Sequence, residues 1–264
     1  MIKQPIGIID SGLGGLTVWK ELVQLMPNED FLYFGNSGFC PYGSKSVEEI
    51  TRRVQAIVGF LIREKSKIIV VACNAITASS IDILRKNYQI PFIGMEPAIK
   101  PALLKTKTKA IGVLATERAL QGNLYFNTKK KYAKGVTIIE QIGTGLVEKV
   151  EALEFKNESI MSILKKYLNP MIEKNIDYLV LGCTHYPFLQ EPMKEILGDK
   201  VVIVDPAAAV AHQTLNVLKQ SEQIMTTETV KGQSTFLSSG DIHKMKSILS
   251  MVTKSRHEVH AVLI

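Results

Sequence analysis

The chain lacks most of the features that would take it out of an ordinary reducing cytoplasm. Its 264 residues hold three cysteines, an odd number and too few for a disulfide scaffold, so a cystine-stapled secreted architecture is excluded. No apolar stretch approaches the ~20 residues of a membrane span, and no membrane partner is expected. The opening Met1-Ile2-Lys3-Gln4-Pro5 runs into a strand-like segment with no signal-peptide core. There is no Cys-x-x-Cys pair to suggest redox work. The net charge of +7 favours anionic partners, but the lysines are scattered. Their only dense cluster, Lys129-Lys130-Lys131 with Lys134 nearby, has no aromatic-basic stacking pattern, which argues against nucleic acid as a main partner.

What is present is a globular composition, 46% hydrophobic and 22% charged, with strand-like apolar runs alternating with longer amphipathic stretches. That alternation predicts an α/β fold with parallel sheets covered by helices. Four strand ends recur in the same order. Ile6-Gly7-Ile8-Ile9-Asp10-Ser11 is echoed by Ile111-Gly112-Val113-Leu114-Ala115-Thr116, and Tyr33-Phe34-Gly35 by Gln141-Ile142-Gly143. Val71-Ala72-Cys73-Asn74 is echoed by Leu181-Gly182-Cys183-Thr184, and Met95-Glu96-Pro97-Ala98 by Val204-Asp205-Pro206-Ala207. Nearly constant spacing argues for duplicated α/β units. A helical segment over 208–219 and a strand over 234–237 most simply return to the first half.

Ligands of open parallel sheets bind beyond the carboxyl ends of the strands, and the chemistry-bearing residues all fall there. Two such edges facing each other would place Asp10, Ser11, Cys73, Asn74, Cys183, Thr184 and His185 in one cleft between the halves. The turn Asp10-Ser11-Gly12-Leu13-Gly14-Gly15 can expose amides to an anion, but it is not the Gly-x-Gly-x-x-Gly of dinucleotide sites, because Thr17 stands where the third glycine belongs. Pro41-Tyr42-Gly43-Ser44 offers donors and a phenol. Cys40 has no counterpart in the other half and reads as a bystander.

A single cysteine after a strand is usually a small buried hydrophobe, yet Cys73 and Cys183 occupy matching places in a repeat. Two equivalent thiols suit a reaction that needs an acid and a base on opposite faces of one carbon. A Cys-His hydrolase is the competing reading, although it leaves the second thiol without a role. His185 is either a surface histidine or the polar partner of Cys183. Glu148 is either a cleft residue or a solvated helix glutamate. No metal is expected, because Cys183 and His185 are joined by no further ligand cluster in the sequence and His212, His243, His257 and His260 are dispersed.

Together, Asp10-Ser11-Gly12-Leu13-Gly14-Gly15, Cys40-Pro41-Tyr42-Gly43, Ala72-Cys73-Asn74 and Gly182-Cys183-Thr184-His185-Tyr186-Pro187 resemble the cofactor-independent aspartate/glutamate racemase family, and within it the glutamate racemases. The resemblance implies two α/β domains related by a pseudo-two-fold, residues 1–97 with 207–264 and residues 98–206, with the active site between them. It implies interconversion of L- and D-glutamate for peptidoglycan synthesis, without pyridoxal phosphate or metal, in the cytoplasm. Cys73 would take the α-proton of D-glutamate and Cys183 that of L-glutamate. Asp10 would assist Cys73, and His185 with Glu148 would assist Cys183. Ser11, Pro41, Tyr42, Gly43, Ser44, Asn74 and Thr184 would hold the substrate. A homodimer is compatible with the resemblance.

Two residues depart from the family pattern. Ala75 stands where a threonine usually follows Cys-Asn, and Asn36 where an aspartate is typical. They keep open a racemase of aspartate or a related amino acid, and a non-catalytic binding protein on the same fold. Some relatives are activated by a cell-wall precursor through an amino-terminal extension. The short lead-in to the first strand here gives no expectation of that control.

Overall fold

The β-branched runs identified in the sequence form the centre of two all-parallel sheets, in a computed structural model that describes residues 4–225, 231–253 and 256–264. Met1-Ile2-Lys3, part of the expected lead-in to the first strand, lies outside the described residues. The first sheet contains β1 (Ile6–Asp10), β2 (Phe31–Gly35), β3 (Ile68–Val71) and β4 (Phe92–Gly94). The second contains β5 (Ala110–Ala115), β6 (Thr137–Ile142), β7 (Tyr178–Gly182) and β8 (Val202–Val204), and the chain then returns to the first with β9 (Ser234–Ser238) and β10 (Val259–Ala261). The strand orders are β10-β9-β2-β1-β3-β4 and β6-β5-β7-β8. The order β2-β1-β3-β4 therefore recurs as β6-β5-β7-β8, as duplicated α/β units require.

Successive side chains of a strand point to opposite faces, and β1 divides accordingly. Ile6 and Ile8 join the core beneath the helices at Leu16–Leu25, Ala207–Gln220 and Ile242–Thr253, while Ile9 joins the core beneath those at Val47–Arg63 and Asn74–Asn87. The helix at Val47–Arg63 illustrates how sequence sets an element. Ser46 and Glu49 close its amino end reciprocally, each side chain accepting the other's backbone N–H at 3.2 Å. Ile50, Val54, Ile57, Val58 and Leu61 then recur on one face and are fully buried. In the second sheet, β5 is covered on both faces, whereas the edge strand β6 keeps Glu140 and Gln141 partly exposed and no residue fully buried.

One charged pair is built into the base of the first sheet. Lys67 Nζ donates to Glu29 Oε2 at 2.6 Å and to the Gln223 carbonyl at 2.7 Å, and Met225 N donates to Glu29 Oε1 at 2.8 Å. Both side chains are buried, so the pair fastens the loop before β2 to the segment following the helix at Ala207–Gln220. Among the described residues no helix is long and apolar enough to cross a membrane.

Removing one member of a buried pair strands the other's charge, which costs about 3–5 kcal/mol. Lys67→Met should lower the unfolding free energy by that amount in urea titrations. The double variant with Glu29→Leu should recover much of the loss, and an additive double variant would show that the two charges do not act as a pair.

Candidate active site

Because every strand in both sheets runs parallel to its neighbours, the chemistry-bearing side chains emerge at two carboxyl edges. Asp10 ends β1 and opens the glycine-rich turn into the helix at Leu16–Leu25. Cys73 follows β3 and caps the helix at Asn74–Asn87 in extended conformation. Cys183 follows β7 and precedes the 3-10 turn at Tyr186–Leu189. One cavity of about 180 Å³ is lined from the first sheet by Ser11, Pro41, Tyr42, Gly43, Ser44, Cys73 and Asn74. From the second it is lined by Thr116, Glu148, Cys183 and His185 among others. This volume suits a small ligand, since pockets for drug-sized molecules run to about 300–1,000 Å³. Asp10 and Thr184 do not line the cavity. They lie beneath it, buried, with Thr184 Oγ1 donating to Asp10 Oδ1 at 3.3 Å.

The two halves meet so closely here that the turn residues must be glycine. A Cβ on Gly14 would lie 2.5 Å from both His185 Nδ1 and Thr184 Oγ1, and one on Gly12 would lie 2.0 Å from Glu151 Oε1. With no side chain in the way, Leu13 N donates to Glu151 Oε1 at 2.7 Å across the junction.

The two thiols sit in different electrostatic settings. Burial, reinforced by the nearby Asp10 carboxyl, pushes the Cys73 thiol up to about 12. Ser11 Oγ, 3.4 Å from its sulfur, and the Ile76 N–H act in the opposite sense, and a charge on Cys183 is felt at Cys73 as well. Asp10 is itself raised by burial, although His185 and the N–H groups of Gly12 and Gly15 oppose this. Beside Cys183 lies an imidazole. His185 Nδ1 is 3.7 Å from Cys183 Sγ, and its Nε2 is 2.6 Å from Glu151 Oε1. Burial alone would lower the His185 pKa, but the contacts with Cys183 and Glu151 outweigh it and hold the ring well above its usual 6.5. Burial likewise opposes ionisation of Glu151, and the His185 hydrogen bond and charge overcome it, keeping the carboxyl below its usual 4.5.

This geometry adds neighbours to two readings of the sequence. Glu148 does line the cavity, but the carboxylate bound to His185 is Glu151, three residues later on the same helix at Leu146–Glu151. The signal available was the i, i+3 repeat of glutamate on one helical face. Cys40, read as a bystander, brings its sulfur within 4.8 Å of donor atoms of both Glu151 and His185. The departures have structural roles too. Asn36 is buried and donates from Nδ2 to the Tyr42 hydroxyl at 2.5 Å, while its Oδ1 accepts from Ser239 Oγ at 2.6 Å and Arg53 Nη2 at 3.3 Å. Ala75 forms an apolar part of the cavity wall.

Residues 6–214 match the family described as Asp/Glu/hydantoin racemase. The glutamate racemase of Herpetosiphon aurantiacus is 41% identical over 241 residues, covering 91% of this chain and 94% of that protein. That of Ectopseudomonas mendocina is 40% identical over 260 residues, covering 98% of each. Among solved structures, a glutamate racemase from Bacillus anthracis superposes with a TM-score of 0.85 at 30% identity, over 99% of this chain and 98% of that one. A glutamate racemase from Francisella tularensis in complex with D-glutamate gives the same score and identity over 100% and 98%.

The His185–Glu151 pair ties stability to pH. A raised histidine contributes fully below its unfolded value of 6.5 and loses that contribution as pH rises through the folded value. A depressed glutamate contributes fully above 4.5 and loses it as pH falls. The stability gap between the unaltered protein and His185→Gln should therefore be widest between about pH 4.5 and 6.5 and shrink on alkalinisation. Chemical denaturation across pH measures it, and a gap that does not vary would rule out a charged imidazole.

Proposed function

We propose that this chain, which belongs to the Asp/Glu/hydantoin racemase family and is an amino-acid racemase, interconverts L- and D-glutamate by passing the α-proton between Cys73 and Cys183. The observation that carries this reading is that two buried thiols, delivered by matching strands of two sheets, line one small cavity from opposite halves. The α-hydrogen of an amino acid is a very weak acid, so its removal requires preorganised donors and the exclusion of water. A thiolate on one face takes the proton, a thiol on the other returns one, and the reverse reaction exchanges the roles. A product that mirrors its substrate needs this pair of groups, which a single nucleophilic thiol does not supply.

In this scheme Cys73 deprotonates D-glutamate and Cys183 deprotonates L-glutamate. A Cys73 thiolate would be stabilised by the Ser11 hydroxyl and the Ile76 N–H. Asp10 acts as a positioning residue, since it accepts from Gly12 N at 2.9 Å and from Thr184 and so fixes the turn that carries Ser11. On the other side the His185 imidazolium, oriented by Glu151, stabilises the Cys183 thiolate. Ser11, the 41–44 turn, Asn74 and Thr184 hold or frame the substrate, and Glu148 faces it. The pseudo-two-fold between residues 1–97 with 207–264 and residues 98–206, a cytoplasmic location, a homodimeric assembly and the supply of D-glutamate to peptidoglycan belong to the same proposal.

Incubation with L-glutamate in deuterated water, followed by proton NMR and chiral analysis, tests the reaction. Racemisation with deuterium at Cα is expected. Unchanged glutamate would overturn the reading in favour of a binding protein, turnover of aspartate alone would move the substrate, and amide hydrolysis would indicate the hydrolase. Cys73→Ser or Cys183→Ser should each lower turnover by at least about 100-fold, and full activity in either would end the two-thiol scheme.

The elevated Cys73 thiol adds a directional signature. Its reactive thiolate fraction increases with pH below about 12, so kcat/KM from D-glutamate, which reports the free enzyme, should rise between about pH 7 and 9. A decline over that range would mean that Cys73 reacts as the protonated partner in that direction.

A further inference from the structure

Outside the substrate cavity, a second cavity of about 270 Å³ reaches the far side of the His185–Glu151 pair. Its walls include Ser37, Cys40, Glu148, Glu151, Asp241 and Lys244. Three side chains here carry a thiol, a carboxylate and an imidazole, the donor types from which zinc sites are made. The donor atoms of Cys40, Glu151 and His185 all lie within 4.8 Å of one another, and among the described residues they form the one such group of three. Zinc–ligand bonds of about 2.0–2.3 Å set neighbouring donors roughly 3.2–3.8 Å apart in a tetrahedron, so closure requires shifts of about 1 Å. Glu151 is already held in place by Leu13 N. The Ser37 hydroxyl lines the same cavity beside Glu151 and lies where it could reach a water in a fourth coordination position.

We propose that Cys40, Glu151 and His185 form a site for a borderline-soft divalent cation, represented by zinc, entered through the second cavity and inhibitory when filled. Binding replaces the Cys40 thiol proton and the His185 Nε2 proton, both released to solvent, and forms bonds from the metal to sulfur, nitrogen and a Glu151 oxygen with no change of oxidation state. Two consequences reach the substrate. The Nε2–H···Glu151 bond that orients the imidazole beside Cys183 is lost, and Cys40 is drawn toward His185, carrying with it the adjoining turn at 41–44. Metal binding stands independently of the proposed racemisation, whereas inhibition rests on that reading.

The full-length protein titrated with cobalt(II) alone should show near-ultraviolet thiolate-to-cobalt absorption at one equivalent, displaced by zinc. Cys40→Ala should lose the band, and Cys73→Ala, which removes a thiol of the substrate cavity, should keep it. Retention in Cys40→Ala, loss in Cys73→Ala, or no band in the unaltered protein would overturn the site. In glutamate turnover assays, zinc should inhibit the unaltered enzyme reversibly on chelation. Cys40→Ala should keep its basal rate and need at least about tenfold more zinc for the same inhibition. Equal sensitivity of the two proteins, or a metal-loaded enzyme at full rate, would overturn the inhibitory role. If no glutamate were racemised at all, the racemase reading would fail while the absorption titration still decided the metal site.

Discussion

The constraint on which the site depends is the contact between the turn after β1 and the residues after β7. Two glycines allow it, since a methyl group at either would fall inside the contact distance of His185, Thr184 or Glu151. Once the backbones are that close, buried polar groups from each half have to satisfy those of the other. Thr184 bonds Asp10, and Leu13 bonds Glu151. Hydrogen bonds to charged groups are worth about 1.5–3 kcal/mol each, and leaving such a group unpaired costs at least as much. The bonds that join the halves therefore also fix Asp10 and Glu151 beneath and beside the cavity, so that loosening the junction would shift the groups around both thiols.

Repetition of the fold has not repeated the electrostatics. Strand order is the same in both halves, and each supplies a thiol just beyond its third strand. The first thiol is attended by a hydroxyl, a helix amino end and a buried carboxyl. The second is attended by an imidazole paired with glutamate. Burial and the Asp10 carboxyl raise the Cys73 thiol, whereas Cys183 lies beside an imidazole held above its usual range. The two thiols thus share a place in the strand order and differ in their electrostatic surroundings, which under the proposed two-thiol scheme suits a substrate whose other substituents occupy fixed positions while one hydrogen changes face.

Much of this was legible in the sequence because it depended on local signals. Continuous apolar runs marked β1, β3, β5 and β7, and their matched endings pointed to a common edge where Cys73 and Cys183 emerge. Glu151 was harder to see, because its partner lies 34 residues away and nothing local distinguishes it from Glu148. The neighbours of Cys40 were hidden for a related reason. A repeat reveals residues that have counterparts, and Cys40 gains its surroundings from the other half instead. The role of Asn36 was also hidden: the loss of a negative charge was apparent, but its bonds to Tyr42, Ser239 and Arg53 require side chains from three separate segments.

The short helix at Leu146–Glu151 shows why the two cavities cannot be independent. Its amino end is set by Gly145 in the left-handed region, at φ 82°, where a side chain is strained. Six residues later the helix has ended, yet it has placed Glu148 on the walls of both cavities and Glu151 against His185. Val147 and Val150 bury its apolar side in the core of the second sheet, so the element moves as a unit if it moves at all. A ligand bound at Glu151, as proposed, would pull on the segment that also places Glu148 on the wall of the first cavity. Rigid packing of this helix would then carry a local rearrangement on the outer side into the shape of the inner cavity, without any long chain of intervening contacts.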